Sequence, residues 1–114
     1  MNRVSPTIIP GLAAAVVALA FLAGPSKAQG QGDPERGKDV ADKVCAFCHM
    51  ARPGAPMLQG TADVPKFPEI AKREGLDADY IAGKIMAPPH PMPPVALTKQ
   101  EIADVAAYIL GLKN

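Results

Sequence analysis

The chain has no tryptophan, two cysteines, two histidines and almost no net charge: 12 basic against 11 acidic residues give +1. Each scarcity excludes something. Near-balanced charges scattered along the chain leave no basic stripe, so nucleic acid is not an expected partner. Two cysteines three positions apart cannot form a disulfide framework. Two cysteines and two histidines are the bare minimum for a structural zinc site, and adjacent Cys48 and His49 cannot easily reach one tetrahedral ion. No alternating apolar pattern and no internal repeat are visible, so strands are not expected. Beyond the N-terminal segment, the aromatic bulk is confined to Phe47, Phe67, Tyr80 and Tyr108, which promises a thin core.

Long apolar runs are also missing, with one exception at the N-terminus. Arg3 is followed by the nearly apolar stretch Ile8 to Ala23 and then by Ser26-Lys27-Ala28. The stretch is shorter than the roughly 20 residues a spanning helix needs, and the small residues after it suit a cleavage site. Residues 1–28 therefore read as a secretory signal peptide. Its removal takes Arg3 and Lys27 and leaves residues 29–114 as one small domain of about −1 net charge. The expected location is the periplasm, with no stable membrane insertion after cleavage.

What is present is concentrated in Cys45-Ala46-Phe47-Cys48-His49. C-x-x-C-H is the spacing that attaches a c-type haem. Two thiols add to the two vinyl groups along one porphyrin edge, and the adjoining imidazole becomes an axial ligand of the iron. A thioredoxin-like pair would want a βαβ pattern, which is absent. A bare disulfide leaves His49 unexplained. Export and haem attachment also imply one another, because this attachment takes place outside the cytoplasm. A buried haem would supply the missing bulk of the core.

The rest of the chain reads as helices and loops. Asp33 and Pro34 open a helix that runs into the motif, with Val40, Val44 and Phe47 on its apolar face. Gly37 within it points to close approach of another helix, since an interior glycine destabilises by about 1 kcal/mol relative to alanine. Met50 to Val64 is a loop. A short helix is expected over Pro68 to Glu74, ended by Gly75. Asp77 caps another through Met86, with Ile81 and Ile85 as its buried stripe. Thr98 and Glu101 form a capping box, and Leu97 pairs with Ile102. Ile102, Val105, Ala106, Ile109 and Leu110 line the last helix, which Gly111 closes. The fold class is all-α, with three to four short helices.

Between the last two helices lies Pro88-Pro89-His90-Pro91-Met92-Pro93-Pro94, too proline-rich for a helix or central strand. A stiff loop can present a second axial ligand. Met92 is the first candidate; His90, which would give a bis-histidine haem, and Met86 compete with it. Met50 and Met57 read as packing or haem-edge contacts.

In these features the chain resembles a class I c-type cytochrome of the small bacterial periplasmic kind, over residues 33 to 112. Cys45, Cys48 and His49 match the attachment motif, and Met92-Pro93 matches the Met-Pro ligand loop. Gly37 and Tyr108 match the residues where the first and last helices cross. Pro56 resembles the proline whose carbonyl accepts the axial histidine's Nδ1–H. Ala41 departs from the pattern, standing where the family often has a larger residue. The resemblance implies the cytochrome c fold around one covalently bound haem c, with His49 and Met92 as iron ligands.

The expected function is one-electron transfer, with no catalysis of its own. Partners would be a periplasmic dehydrogenase, a terminal oxidase or a reductase. The electron would pass at the haem edge near Cys45 and Cys48, ringed by Met50, Ala51, Pro53, Ala55 and Met57. A dedicated subunit of a dehydrogenase complex is the alternative, and an open-site haem sensor or enzyme a further one. If both thiols carry the haem, Cys45→Ala and Cys48→Ala each yield little or no mature holoprotein in an exporting host, read by haem staining and mass spectrometry. Abundant covalent holoprotein from both variants contradicts the assignment.

Overall fold

The computed structural model describes residues 31–114; the expected signal peptide, residues 1–28, lies outside them. Four α-helices and one 3₁₀ turn make up the described chain: α1 Pro34–Lys43, the 3₁₀ turn Cys45–Phe47, α2 Phe67–Ala71, α3 Ala78–Met86 and α4 Lys99–Gly111. Among the described residues there is no strand, and no helix is long and apolar enough to cross a membrane.

Local chemistry sets the helix starts. The Asp33 carboxylate accepts from the backbone N–H groups of Glu35 and Arg36 at 2.9 and 3.3 Å, with Pro34 just inside. Asp77 does the same for Tyr80 at 2.7 Å. At α4, Thr98 Oγ1 accepts from Glu101 N at 3.2 Å, and the Glu101 carboxylate accepts from Thr98 N at 2.7 Å. These bonds satisfy N–H groups that a helix start leaves without partners. α2 ends at Ala71, short of the expected Glu74, and the chain turns through Lys72–Gly75, with Gly75 at φ +66°.

α4 is the centre of the fold, and α1, α2 and α3 all pack on it. α1 buries Gly37 and Ala41 with Val40 packed against the core, while Val44 and Phe47, on the apolar face that the spacing suggested, stand outside it. Val40 is half-buried, Val44 is 38% exposed and Phe47 47% exposed. Two physical reasons account for this. The backbone of α4 comes so close at Gly37 that a Cβ there would fall on the Asp104 carbonyl, so only the small-residue face fits. The helix also tightens into the 3₁₀ turn at Cys45, which shifts the phase of the residues after Val44. Ala41, small where the resemblance suggested bulk, is fully buried in this crossing.

The crossing holds a charge that spacing alone did not reveal. Asp104 is 2% exposed and accepts four hydrogen bonds: from Asp33 N at 2.6 Å, Arg36 Nε at 2.9 Å, Arg36 Nη2 at 3.2 Å and Gln100 Nε2 at 2.9 Å. A buried carboxylate is tolerated only with such compensation. The core beyond it is small: Ala41, Ala51, Phe67, Ala71, Ile81, Val105, Ala106, Tyr108 and Ile109. Four of these nine are alanines, so helix packing alone buries little apolar bulk.

Asp104 gives the fold an acid-sensitive clasp. The Arg36 hydrogen bond first, then those from Asp33 N and Gln100, hold its carboxyl at about 2, below the ordinary 3.8, against the opposing effect of burial. A depressed folded-state value means stabilisation that is complete above the unfolded value and lost as pH falls through the folded one. Asp104→Asn should therefore destabilise the protein by about 2 kcal/mol at pH 7. The gap from wild type should close between about pH 4 and pH 2. Denaturant unfolding across that range checks this; a pH-independent gap excludes it.

Candidate haem-binding site

The 3₁₀ turn explains the spacing of the motif. Side chains three apart eclipse in such a turn, so Cys45 and Cys48 come to one side. Cys48 N and His49 N donate to the Cys45 carbonyl at 3.1 and 2.9 Å, which brings His49 back alongside both thiols. Both cysteines are free and half-buried. Burial pushes the Cys45 thiol up to about 11, so it stays protonated at neutral pH. Two cysteines on one side of a turn fit a porphyrin edge.

His49 is oriented by the loop that follows. Its Nδ1 lies 2.7 Å from the Pro65 carbonyl oxygen. A carbonyl only accepts, so Nδ1 carries the proton and Nε2 keeps a free lone pair. That is the tautomer a metal needs. The oriented ring also packs against Phe67, with centroids 5.3 Å apart. The carbonyl partner is thus Pro65 and not Pro56, which the resemblance suggested. Pro56 is exposed. It lies within a loop that doubles back, so nearness in sequence to His49 did not decide the partner. The clue lay in Val64-Pro65-Lys66-Phe67, directly before α2.

The doubling back of residues 50–66 is held by backbone bonds. Gln59 N donates to Phe47 O at 2.8 Å and Phe67 N to Met50 O at 3.0 Å. Gly60 lies against the motif itself, where a Cβ would fall on the Cys48 carbonyl and crowd Met57 Sδ. Nothing in the local spacing around Gly60 marked it.

The residues after His49 are tied one by one. The Met50 carbonyl takes the Phe67 N–H, and the Ala51 carbonyl accepts from Tyr108 Oη at 2.8 Å. Arg52 Nε sits 3.0 Å from Asp42 Oδ1, and Lys38 Nζ 2.9 Å from Asp42 Oδ2. Burial raises the Tyr108 pKa above its ordinary value, so its hydroxyl remains a donor.

The other expected residues lie at the end of α3 and in the α3–α4 loop. Met92 is half-buried in the α3–α4 loop, where its N–H donates to the Pro89 carbonyl at 2.8 Å. The His90–Pro91 peptide bond is cis. His90 is exposed. Met86 is 63% exposed and lines a groove with Ala82 on α3 and Ile102 and Ala103 on α4. Of the expected apolar rim, Ala51 is fully buried and drops out, because its carbonyl is held inward by Tyr108. Phe47 at 47% and Leu58 at 73% exposure present apolar surface that the expected rim omitted.

The family model for cytochrome c matches residues 34–113. Cytochrome c-552 of Bradyrhizobium diazoefficiens is 35% identical over 81 residues, spanning 71% of this chain and 76% of that protein. Cytochrome c4 of Thiocapsa roseopersicina is 37% identical over 84 residues, 68% of this chain but only 38% of that protein. No solved structure matches significantly. With its all-α fold and thiol-bearing turn, the chain belongs to the cytochrome c family and is a class I c-type cytochrome. It is an electron-transfer protein and not an enzyme, it works with redox partners, and its cofactor is covalently attached haem c.

The close contact at Gly60 yields a test of the loop's role. Gly60→Ala forces backbone apart beside Cys48, with an expected loss of about 1–3 kcal/mol and incomplete haem attachment. Thermal unfolding and intact mass check this; wild-type values for both would show that the loop yields freely.

Proposed function

We propose that the protein is a periplasmic one-electron carrier in which His49 and Met92 are the two axial ligands of the haem iron and residues 1–28 are a cleaved signal peptide. The observation that carries this reading is the Nδ1 bond of His49 to Pro65, beside two free thiols on the same turn. It leaves Nε2 as the nitrogen free to coordinate.

When bound, the haem supplies a one-electron couple at its iron. Cys45 and Cys48 hold its edge covalently. Pro65, whose carbonyl accepts the hydrogen bond from His49 Nδ1–H, raises the basicity of His49 and keeps its ring from turning. Met92 offers a soft thioether, which favours the reduced metal and a positive potential. The prolines around it limit the conformations it must give up to bind, each worth about 0.4–1 kcal/mol where the geometry suits. Both ligands sit on restrained backbone, so little needs to rearrange when charge changes. Phe47 and Leu58 stand in and beside the motif, where apolar side chains would border the haem edge at which the electron passes.

The proline-rich loop around Met92 supports it over Met86, which closes α3 beside the α3–α4 groove. Met92→Ala should abolish the red charge-transfer band of ferric haem with a thioether ligand and admit cyanide or azide. The potential should fall by on the order of 0.1 V, within the ~0.8 V range that axial ligands control. Met86→Ala and His90→Ala should leave the band intact. Its loss in Met86→Ala with survival in Met92→Ala would assign the wrong methionine. Its absence from the wild type would favour His90 or an open site.

A further inference from the structure

Four consecutive residues, His49 to Arg52, are fastened to three parts of the fold: the start of α2, α4 and α1. His49 Nδ1 is fastened to Pro65 and the Met50 carbonyl to Phe67 N, while the Ala51 carbonyl is fastened to Tyr108 on α4 and Arg52 to Asp42 on α1. Packing alone does not require this. Ala51 is fully buried, so its carbonyl would stand without its side-chain donor if the Tyr108 hydroxyl were removed. A buried polar group in that state either stays unsatisfied or moves its segment until it finds a partner. The segment begins at His49.

Resting on the reading of His49 as an iron ligand, we propose that Tyr108 is a positioning residue for that ligand. Its hydroxyl, through the Ala51 carbonyl, holds the segment that keeps His49 Nδ1 against Pro65. The Asp42–Arg52 pair supports the same segment one residue further on. Tyr108 reaches His49 by two routes. One is this hydrogen bond. The other is ring packing, since Tyr108 lies 6.4 Å from Phe67 and Phe67 5.3 Å from His49 between ring centroids. Only the first depends on the hydroxyl. When the Ala51 carbonyl loses its donor, the segment relaxes and the Nδ1–Pro65 bond lengthens. His49 then becomes less basic and the oxidised metal less stabilised, so the potential rises.

Tyr108→Phe in the holoprotein keeps the ring and deletes the hydroxyl. The expected result is unchanged covalent attachment, with His49 Nδ1–H exchanging with solvent about ten times faster in NMR spectra. The equilibrium constant for reduction should rise about threefold, or about 28 mV at 59 mV per tenfold. Asp104→Asn is the comparison, because it loosens the same helix crossing without touching residues 49–52; both readouts should stay at wild-type values. Lower stability of Tyr108→Phe with unchanged exchange and potential overturns the proposal. So does an equal shift in Asp104→Asn. If Tyr108→Phe yields too little holoprotein, Asp42→Asn carries the test: a smaller shift in the same direction supports the proposal, and none overturns it. A wild-type protein without a histidine-ligated haem spectrum would instead refute the reading of His49 itself.

Discussion

Where α1 meets α4, two backbones touch because Gly37 has no side chain, and everything else in the domain is arranged around that contact. The approach aligns Arg36 and the N–H of Asp33 with the Asp104 carboxylate, so a charge that would be prohibitive alone becomes a clasp between the two ends of the described chain. It also puts Tyr108 within reach of Ala51. The helix that precedes the attachment motif and the helix that steadies the residues after it are therefore one packed unit.

The polypeptide core is too poor in bulk to make this unit stable by apolar burial alone. Alanines fill much of it, while Phe47, Leu58, Tyr80 and Met86 keep large apolar surfaces outside. A covalently held porphyrin changes the balance twice. It offers a wide apolar face for side chains near the motif, and its two links to Cys45 and Cys48 restrict the unfolded chain. Fold and cofactor are then mutually dependent, as expected of a domain this small.

The same economy bears on electron transfer. A carrier works best when the ligands of its metal scarcely move between oxidation states. Here the residues from His49 to Arg52 are tied to three separate elements, and Met92 lies in a loop stiffened by its prolines. The restraint is distributed over hydrogen bonds, an ion pair and ring packing, with no disulfide among the described residues.

Much of this could be read from the chain alone. C-x-x-C-H determined the cofactor, because no other common chemistry needs two thiols and an imidazole in that order. Asp33, Asp77 and Thr98 determined where three helices begin, because capping acts within a single turn. Gly37 announced a close crossing. What only the tertiary structure decided was long-range pairing. The carbonyl that orients His49 belongs to Pro65, 16 residues away, and not to Pro56. Asp104 looks in sequence like any solvated acid until Arg36, 68 positions earlier, is folded against it. Val44 and Phe47 fit an apolar helical face, yet the close crossing at Gly37 admits only the small-residue face of α1, and a 3₁₀ turn then shifts Phe47 out of phase. Helix caps and attachment spacing are local geometry, and a sequence states them directly. The partner of a buried carbonyl or carboxylate depends on how loops close, and that is settled only when the helices pack.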